Sequence, residues 1–153
     1  MKRALVLLAA VATLAFPATG IGAPPITNFT NVTKNGTDTF PDVNPCTGDP
    51  ATISITFNDV FHITEFANGT VHVTGTTTGT FLIDTIAPSK PDFSGHFTSW
   101  FGFNGNNKNV AGTFTFTVVG KGTDGSTLTF HETAHFTLNA NGEVTVDFDR
   151  PTC

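Results

Sequence analysis

Strict alternation of apolar and polar residues governs the last third of this chain. Phe114, Phe116 and Val118 are separated by Thr115 and Thr117. Leu128, Phe130, Glu132, Ala134, Phe136 and Leu138 are separated by Thr129, His131, Thr133, His135 and Thr137. Val144, Val146 and Phe148 are separated by Thr145 and Asp147. A period of two sends successive side chains to opposite faces of an extended chain, so each run predicts a strand with one buried and one wet face.

Short glycine-ended loops join these runs: Thr123-Asp124-Gly125 and Ala140-Asn141-Gly142, with Ala67-Asn68-Gly69 of the same kind earlier. The last residue of a three-residue hairpin loop is usually left-handed, a conformation that glycine adopts at little cost. The loops therefore set Phe66 opposite Thr70, Gly122 opposite Ser126 and Asn139 opposite Glu143. Carried across the last four strands, this register predicts the buried-face rows Phe101–Gly112–Phe136–Val146, Ser99–Phe114–Ala134–Phe148 and Phe93–Gly120–Leu128. Large residues meet small ones in each, as close packing requires.

The beginning of the chain has a different character. Lys2 and Arg3 precede an uncharged apolar run from Ala4 to Phe16, and small residues follow at Ala18, Gly20, Gly22 and Ala23. This is the pattern of a secretory signal peptide, too short to span a bilayer, and it assigns residues 1–23 to export. No later segment is apolar enough to cross a membrane. Without Lys2 and Arg3 the seven basic residues fall to five against twelve acidic ones, a net charge of about −7. Such acidity argues against nucleic acid and anionic membranes as partners. Sixteen phenylalanines and no tyrosine suit a dry interior better than a polar binding site. Two cysteines in an exported chain, Cys46 and Cys153, point to a disulfide, and Cys46 has no neighbouring ligands for a metal.

Residues 24–50 are rich in Pro, Asn, Thr, Asp and Gly and show little alternation, so they read as an N-terminal arm with at most one short edge strand, Ile26 to Thr33. Residues 51–153 form the β domain. Ile53, Ile55, Phe57, Phe61 and Ile63 share one face; Val60 beside Phe61, just after Asn58-Asp59, predicts a bulge that frees Asp59 from pointing inward. Six long strands alternating in direction place Cys46, before the first, and Cys153, after the last, at one rim. A bridge there would clasp the seam. The predicted fold is an all-β antiparallel up-and-down meander closed into a small barrel of six to eight strands, with a two-sheet β-sandwich as the alternative.

The segment Asn44-Pro45-Cys46-Thr47-Gly48, the run from His131 to Val146 and the terminal cysteine resemble a family of small secreted actinobacterial proteins. The resemblance extends over most of the chain after residue 23. It implies export and a paired cysteine, and it carries no active site. A looser likeness to the barrels of allene oxide cyclase and dirigent proteins is one of architecture alone, with none of their site residues matched.

Glu132 is the charged residue that interrupts a clean buried-face series, and the register places it between Phe116 and Arg150. Two roles compete. With Arg150 it would form a buried or rim ion pair that seats the C-terminal segment. Alone in an apolar lumen its pKa would rise and it could serve as a general acid or base. The neighbouring Arg150 favours the ion pair. His62, His72, His96, His131 and His135 all fall on the threonine face. His131 and His135 are about 13 Å apart along one strand, too far to share a metal, and His135 falls opposite Asp147. The pattern implies no metal and no cofactor. A row of Trp100, Thr113 and His135 puts an aromatic on the outer face, either as a contact patch or under the N-terminal arm. The chain has no GxSxG, nucleotide-binding loop, EF-hand loop or CxxC. A non-catalytic exported protein acting by binding or surface interaction is the leading expectation. A barrel enzyme of isomerase or cyclase type, or a carrier of an apolar small molecule, would use the lumen near Glu132.

Overall fold

The alternating runs become long strands. The computed structural model describes residues 27–106 and 108–153, and over them the chain forms β1 (Thr27–Val43), β2 (Pro50–Glu65), β3 (Val71–Thr85), β4 (Phe93–Gly105), β5 (Val110–Gly122), β6 (Thr127–Leu138) and β7 (Val144–Thr152). All seven belong to one sheet in sequence order, each antiparallel to the next. This is the predicted meander, and it is one sheet, not the two of a sandwich. The expected signal peptide lies outside the described residues.

The hairpin loops follow the sequence. Gly69, Gly125 and Gly142 have φ of 78°, 85° and 77°. The amides of Phe66, Gly122 and Asn139 donate to the carbonyls of Thr70, Ser126 and Glu143 at 2.8, 2.9 and 3.0 Å. Side chains support the same turns: Asp124 Oδ1 accepts from the Ser126 amide, and Asn139 Oδ1 accepts from the amides of Asn141 and Glu143.

Four expectations are corrected. The segment read as an arm with one short strand is instead the 17-residue β1, paired with β2 along its length. The irregularity expected in β2 near Asn58 lies in β1, between Thr33 and Gly36. There Asn35 takes a left-handed φ of 53° and its amide donates to Asn58 Oδ1 at 3.0 Å. β2 runs on without a break, so Asp59 faces the same side as Phe57 and Phe61. Between β4 and β5 the pairing is displaced by two residues: Phe103, not Phe101, is opposite Gly112, and Gly95, not Phe93, is opposite Gly120. The connecting loop is the short turn 106–109, held by Asn106 Oδ1 accepting from the amides of Lys108 and Asn109. Between β6 and β7, Leu138 pairs with Val144 but Thr137 pairs with Val146, leaving Thr145 as an extra residue. That single-residue bulge exchanges the faces of the rest of β7.

The expected closure into a barrel does not form: among the described residues no ladder joins β1 to β7. Strand count supplies the reason. With β1 as a full strand the meander has seven members, so its two edge strands run in the same direction. Closing the ring would need a parallel ladder in an otherwise antiparallel sheet. The sheet instead curls, and one end is clasped.

At that end Ala51, Phe81, Ile83, Phe93, Phe97, Val118, Leu128 and Phe130 form one buried cluster, which brings β2 into the same core as β6. Cys46 and Cys153 are bonded there, Cα atoms 5.6 Å apart, at the rim the topology indicated. The Cys46 sulfur lies 3.5 Å from the Thr129 carbonyl oxygen, alongside the part of β6 that β7 does not reach. Asn44, only 1% exposed, builds this loop: its Oδ1 accepts from the amides of Cys46 and Thr47 at 2.9 and 3.1 Å.

Inside the curl, phenylalanine rings lie over the glycines opposite them. A β-carbon added at Gly36 or Gly79 would fall 2.7 Å from the Phe57 ring or 2.8 Å from the Phe97 ring. Gly75 and Gly112 are covered in the same way by Phe101 and Phe136. The large-against-small principle holds, with partners shifted where the register shifted.

Candidate functional site

The concave face divides into two regions. Towards the clasp, Phe81, Phe97, Leu128 and Phe130 are buried. Towards the other end Val71 and Val73 of β3 are buried, but Phe61, Phe101, Phe103, Phe114, Phe136 and Leu138 are only half-buried, and Phe29 of β1 is 51% exposed. Because the edges β1 and β7 are not joined, this apolar trough stays open to solvent.

Glu132 sits where the two regions meet. It follows Leu128 and Phe130 on the inner face of β6 and precedes Ala134 and Phe136. It is 7% exposed and lies opposite Phe116, as the sequence indicated. On its other side the bulge at Thr145 changes the expected neighbour. Pro151 is opposite Glu132, while Arg150 is opposite Thr133 on the outer face, its guanidinium 5.1 Å from the Phe148 ring centroid. The Glu132–Arg150 ion pair does not form. Asp149, opposite Ala134, faces inward beside Glu132 instead.

A buried carboxyl beside another carboxylate holds its proton more tightly. Burial first, then the negative charge of Asp149 and the hydrogen bond between the two groups, push Glu132 up to about 7. Glu132 therefore keeps its proton up to near neutral pH, a property that its place in the sequence does not show. Asp149 was missed because its inward orientation depends entirely on the bulge.

Charge on the concave face has one sign. Asp38 and Asp42 of β1, Asp59 and Glu65 of β2, Glu132 of β6 and Asp147 and Asp149 of β7 point to it by register. No paired position on that face carries lysine or arginine. Lys121 is on the outer face, where it donates to Thr127, and Lys90 bridges to Asp49 in the loops at 3.4 Å. One carboxylate oxygen of Asp59 is buried without a hydrogen-bond partner.

The outer face is a field of threonine. His62, His131 and His135 each pair through Nδ1 with a cross-strand threonine, Thr30, Thr117 and Thr113, at 2.9 to 3.0 Å. His135 is opposite Phe148 rather than Asp147, and the rings stack with centroids 5.8 Å apart. Trp100 is 42% exposed and lies over Gly102, flanked by Thr76 and Thr115 instead of joining the row of Thr113 and His135. β1 does not cover it, since that strand lies at the sheet edge. Among the described residues no three His, Cys, Asp or Glu side chains are grouped to hold a metal, and no helix is long and apolar enough to cross a membrane.

What this arrangement can do follows from its two faces. The outer face offers hydroxyls and one flat indole. The inner face offers an apolar floor, open on one side, with two neighbouring carboxyls at its inner end, of which Glu132 keeps its proton up to about 7. No protein-family model, curated protein or solved structure matches the chain.

Proposed function

We propose that this chain is an exported, non-catalytic binding domain whose working surface is the concave face, and that its ligand is an apolar small molecule. The observation that carries the reading is the row of half-buried phenylalanines in an open trough. Apolar surface left in contact with water is a standing source of binding free energy, about 25 cal/mol for each Å² a ligand covers. Rings already laid over glycines need little rearrangement to receive a ligand, which lowers the cost of binding. The N-terminal pattern of residues 1–23 and the Cys46–Cys153 bridge support export to an oxidising compartment.

A fluorescent apolar probe such as N-phenyl-1-naphthylamine tests this on the natively folded, oxidised chain. The expected result is saturable enhancement that is lost in Ala134→Trp, a change that fills the trough between Phe114 and Asp149, at unchanged resistance to urea. Absence of saturable binding by the unsubstituted chain would overturn the reading. A second reading rests on the Glu132–Asp149 pair: a carboxyl that titrates near neutrality can serve as a general acid. An isomerase or cyclase would then need turnover that disappears in Glu132→Gln while probe binding persists.

A further inference from the structure

We infer that the concave face selects apolar ligands that carry a protonated amine, with Glu132 and Asp149 as the groups that receive the ammonium. The inference rests on the binding function proposed above and adds the chemical class of the ligand. Three observations lead to it.

First, the trough is electrostatically one-sided. Asp38, Asp42, Asp59, Glu65, Glu132, Asp147 and Asp149 face it, and no paired position on it carries a base. Arg150, the one base in β7, is turned to the outer face by the extra residue Thr145 and lies over Phe148. Had β7 kept its phase with β6, Arg150 would face inward and Asp147 and Asp149 outward. The bulge thus removes the trough's own counter-ion and supplies two carboxylates.

Second, Glu132 is largely buried and, among the described residues, no protein group donates a hydrogen bond to it. It is 7% exposed, and its hydrogen-bonding partner is Asp149, itself an acceptor when ionised. A largely buried carboxylate with no protein donor or opposite charge beside it is costly, and protonation relieves that cost. An ammonium with three N–H donors can satisfy both carboxylates at once and carries the opposite charge.

Third, the pair stands at the inner end of the apolar floor. Phe114, Phe136 and Leu138 extend from it towards the open end. A ligand with a cationic head at Glu132 and Asp149 would lay its apolar body along these side chains. Neutral apolar molecules match only the floor, and anionic amphiphiles meet like charge.

The pH dependence follows from the same groups. Asp149 and Asp147 of β7 face Glu132 on its own side of the trough, and Asp59 and Glu65 of β2 and Asp38 and Asp42 of β1 belong to the opposite edge. β3, β4 and β5 contribute no titratable side chain to this face. Glu132 holds a proton below about 7. An amine that stays protonated throughout therefore binds more tightly as pH rises from 5 to 8, and its binding releases a proton.

The test is displacement of N-phenyl-1-naphthylamine by decylamine, decanol and decanoate, all below their aggregation concentrations, on the oxidised chain at pH 5 and pH 8. Charge-assisted hydrogen bonds to two carboxylates should give decylamine an affinity at least about tenfold above decanol at pH 8, and less at pH 5. Decanoate should be weakest. The preference should vanish in Glu132→Gln/Asp149→Asn and persist in Arg150→Gln. Equal displacement by decanol and decylamine, or stronger displacement by decanoate, would overturn the inference while leaving an apolar binding face intact. Failure of the probe and all three compounds to bind would remove the proposed function and this inference with it. The comparison on the unsubstituted chain decides between these outcomes even if a variant fails to fold.

Discussion

Removing the charge of Glu132 gives opposite results for the two roles that residue could play. In the ion pair expected from the sequence, Glu132→Gln would leave Arg150 buried and unpaired, at a cost of about 3–5 kcal/mol. In the structure Glu132 faces Asp149 and no base, so its ionised form is the destabilising one. A carboxyl raised from 4.5 to about 7 corresponds to a penalty on ionisation of about 3 kcal/mol. Water reaches the pair from the open side of the trough, and screening reduces this to about 1–2 kcal/mol.

The sign follows from proton counting. Between pH 4.5 and about 7 the unfolded chain has lost the Glu132 proton and the folded chain keeps it, so the unfolded state binds fewer protons and stability falls as pH rises. Below that window there is no penalty; above it the penalty is constant. Urea melts at intervals from pH 4.5 to 8.5 should show the natural chain losing about 1–2 kcal/mol across the window. Glu132→Gln should lack that loss, match the natural chain near pH 5 and exceed it at pH 8. Asp149→Asn should shrink the loss, because it removes one of the causes that raise Glu132. A Glu132→Gln protein that is less stable at pH 8 would refute the argument and restore the ion pair.

Three further outcomes can be checked by the same melts and by mass spectrometry. The Cys46–Cys153 bridge closes a span of 107 residues, so Cys46→Ala/Cys153→Ala should lose about 2–4 kcal/mol, with about 4.7 kcal/mol as the chain-entropy ceiling; non-reducing peptide mapping should find no free thiol in the natural chain. Gly142→Val should cost about 1 kcal/mol or more through backbone strain alone, because φ is 77° and nothing lies within 4 Å of the added β-carbon. Gly112→Ala has no such strain but drives its β-carbon into the Phe136 ring, and should cost about 1–3 kcal/mol by overpacking.

The features legible in the sequence were those fixed by local chemistry. Hairpin loops ending in glycine set β2–β3, β5–β6 and the start of β6–β7, and alternation identified the inner face of every strand from β2 to β6. The rim shared by the two cysteines followed from direction counting, because adding β1 ahead of Cys46 does not move either cysteine. A register slip of two residues between β4 and β5 was invisible for a physical reason: it leaves every side chain on its own face, so the hydrophobic pattern is satisfied either way. β1 was missed because an edge strand exposed on both faces has no need to alternate. Its Thr, Asn, Asp and Gly residues look like a loop, and Lys34, Pro41 and inward-pointing Asp38 and Asp42 are the marks of a guarded edge. Nothing in the sequence marked Asn44 as the buried acceptor that shapes the disulfide loop.

The bulge at Thr145 was hidden most completely, and the candidate site depends on it. Val144, Thr145, Val146, Asp147 and Phe148 alternate cleanly, so the pattern favours an unbroken ladder with Val146 and Phe148 inside. The structure instead stacks Phe148 on His135 and lays Arg150 over Phe148 on the outer face. These outer contacts hold the bulged register and turn Asp147 and Asp149 inward. Deleting Thr145 should therefore remove the bulge and keep the pairing from Val146 onward, with Arg150 still opposite Thr133 and both aspartates still inward. Stability should then go on falling between pH 5 and pH 8, since Glu132 keeps Asp149 beside it and gains no base. The preference for decylamine over decanol should persist, and N-phenyl-1-naphthylamine should still bind the phenylalanine floor. A deletion variant that folds and lacks both the pH-dependent loss and the amine preference would show that the register from Val146 to Pro151 is not what sets the chemistry of the trough.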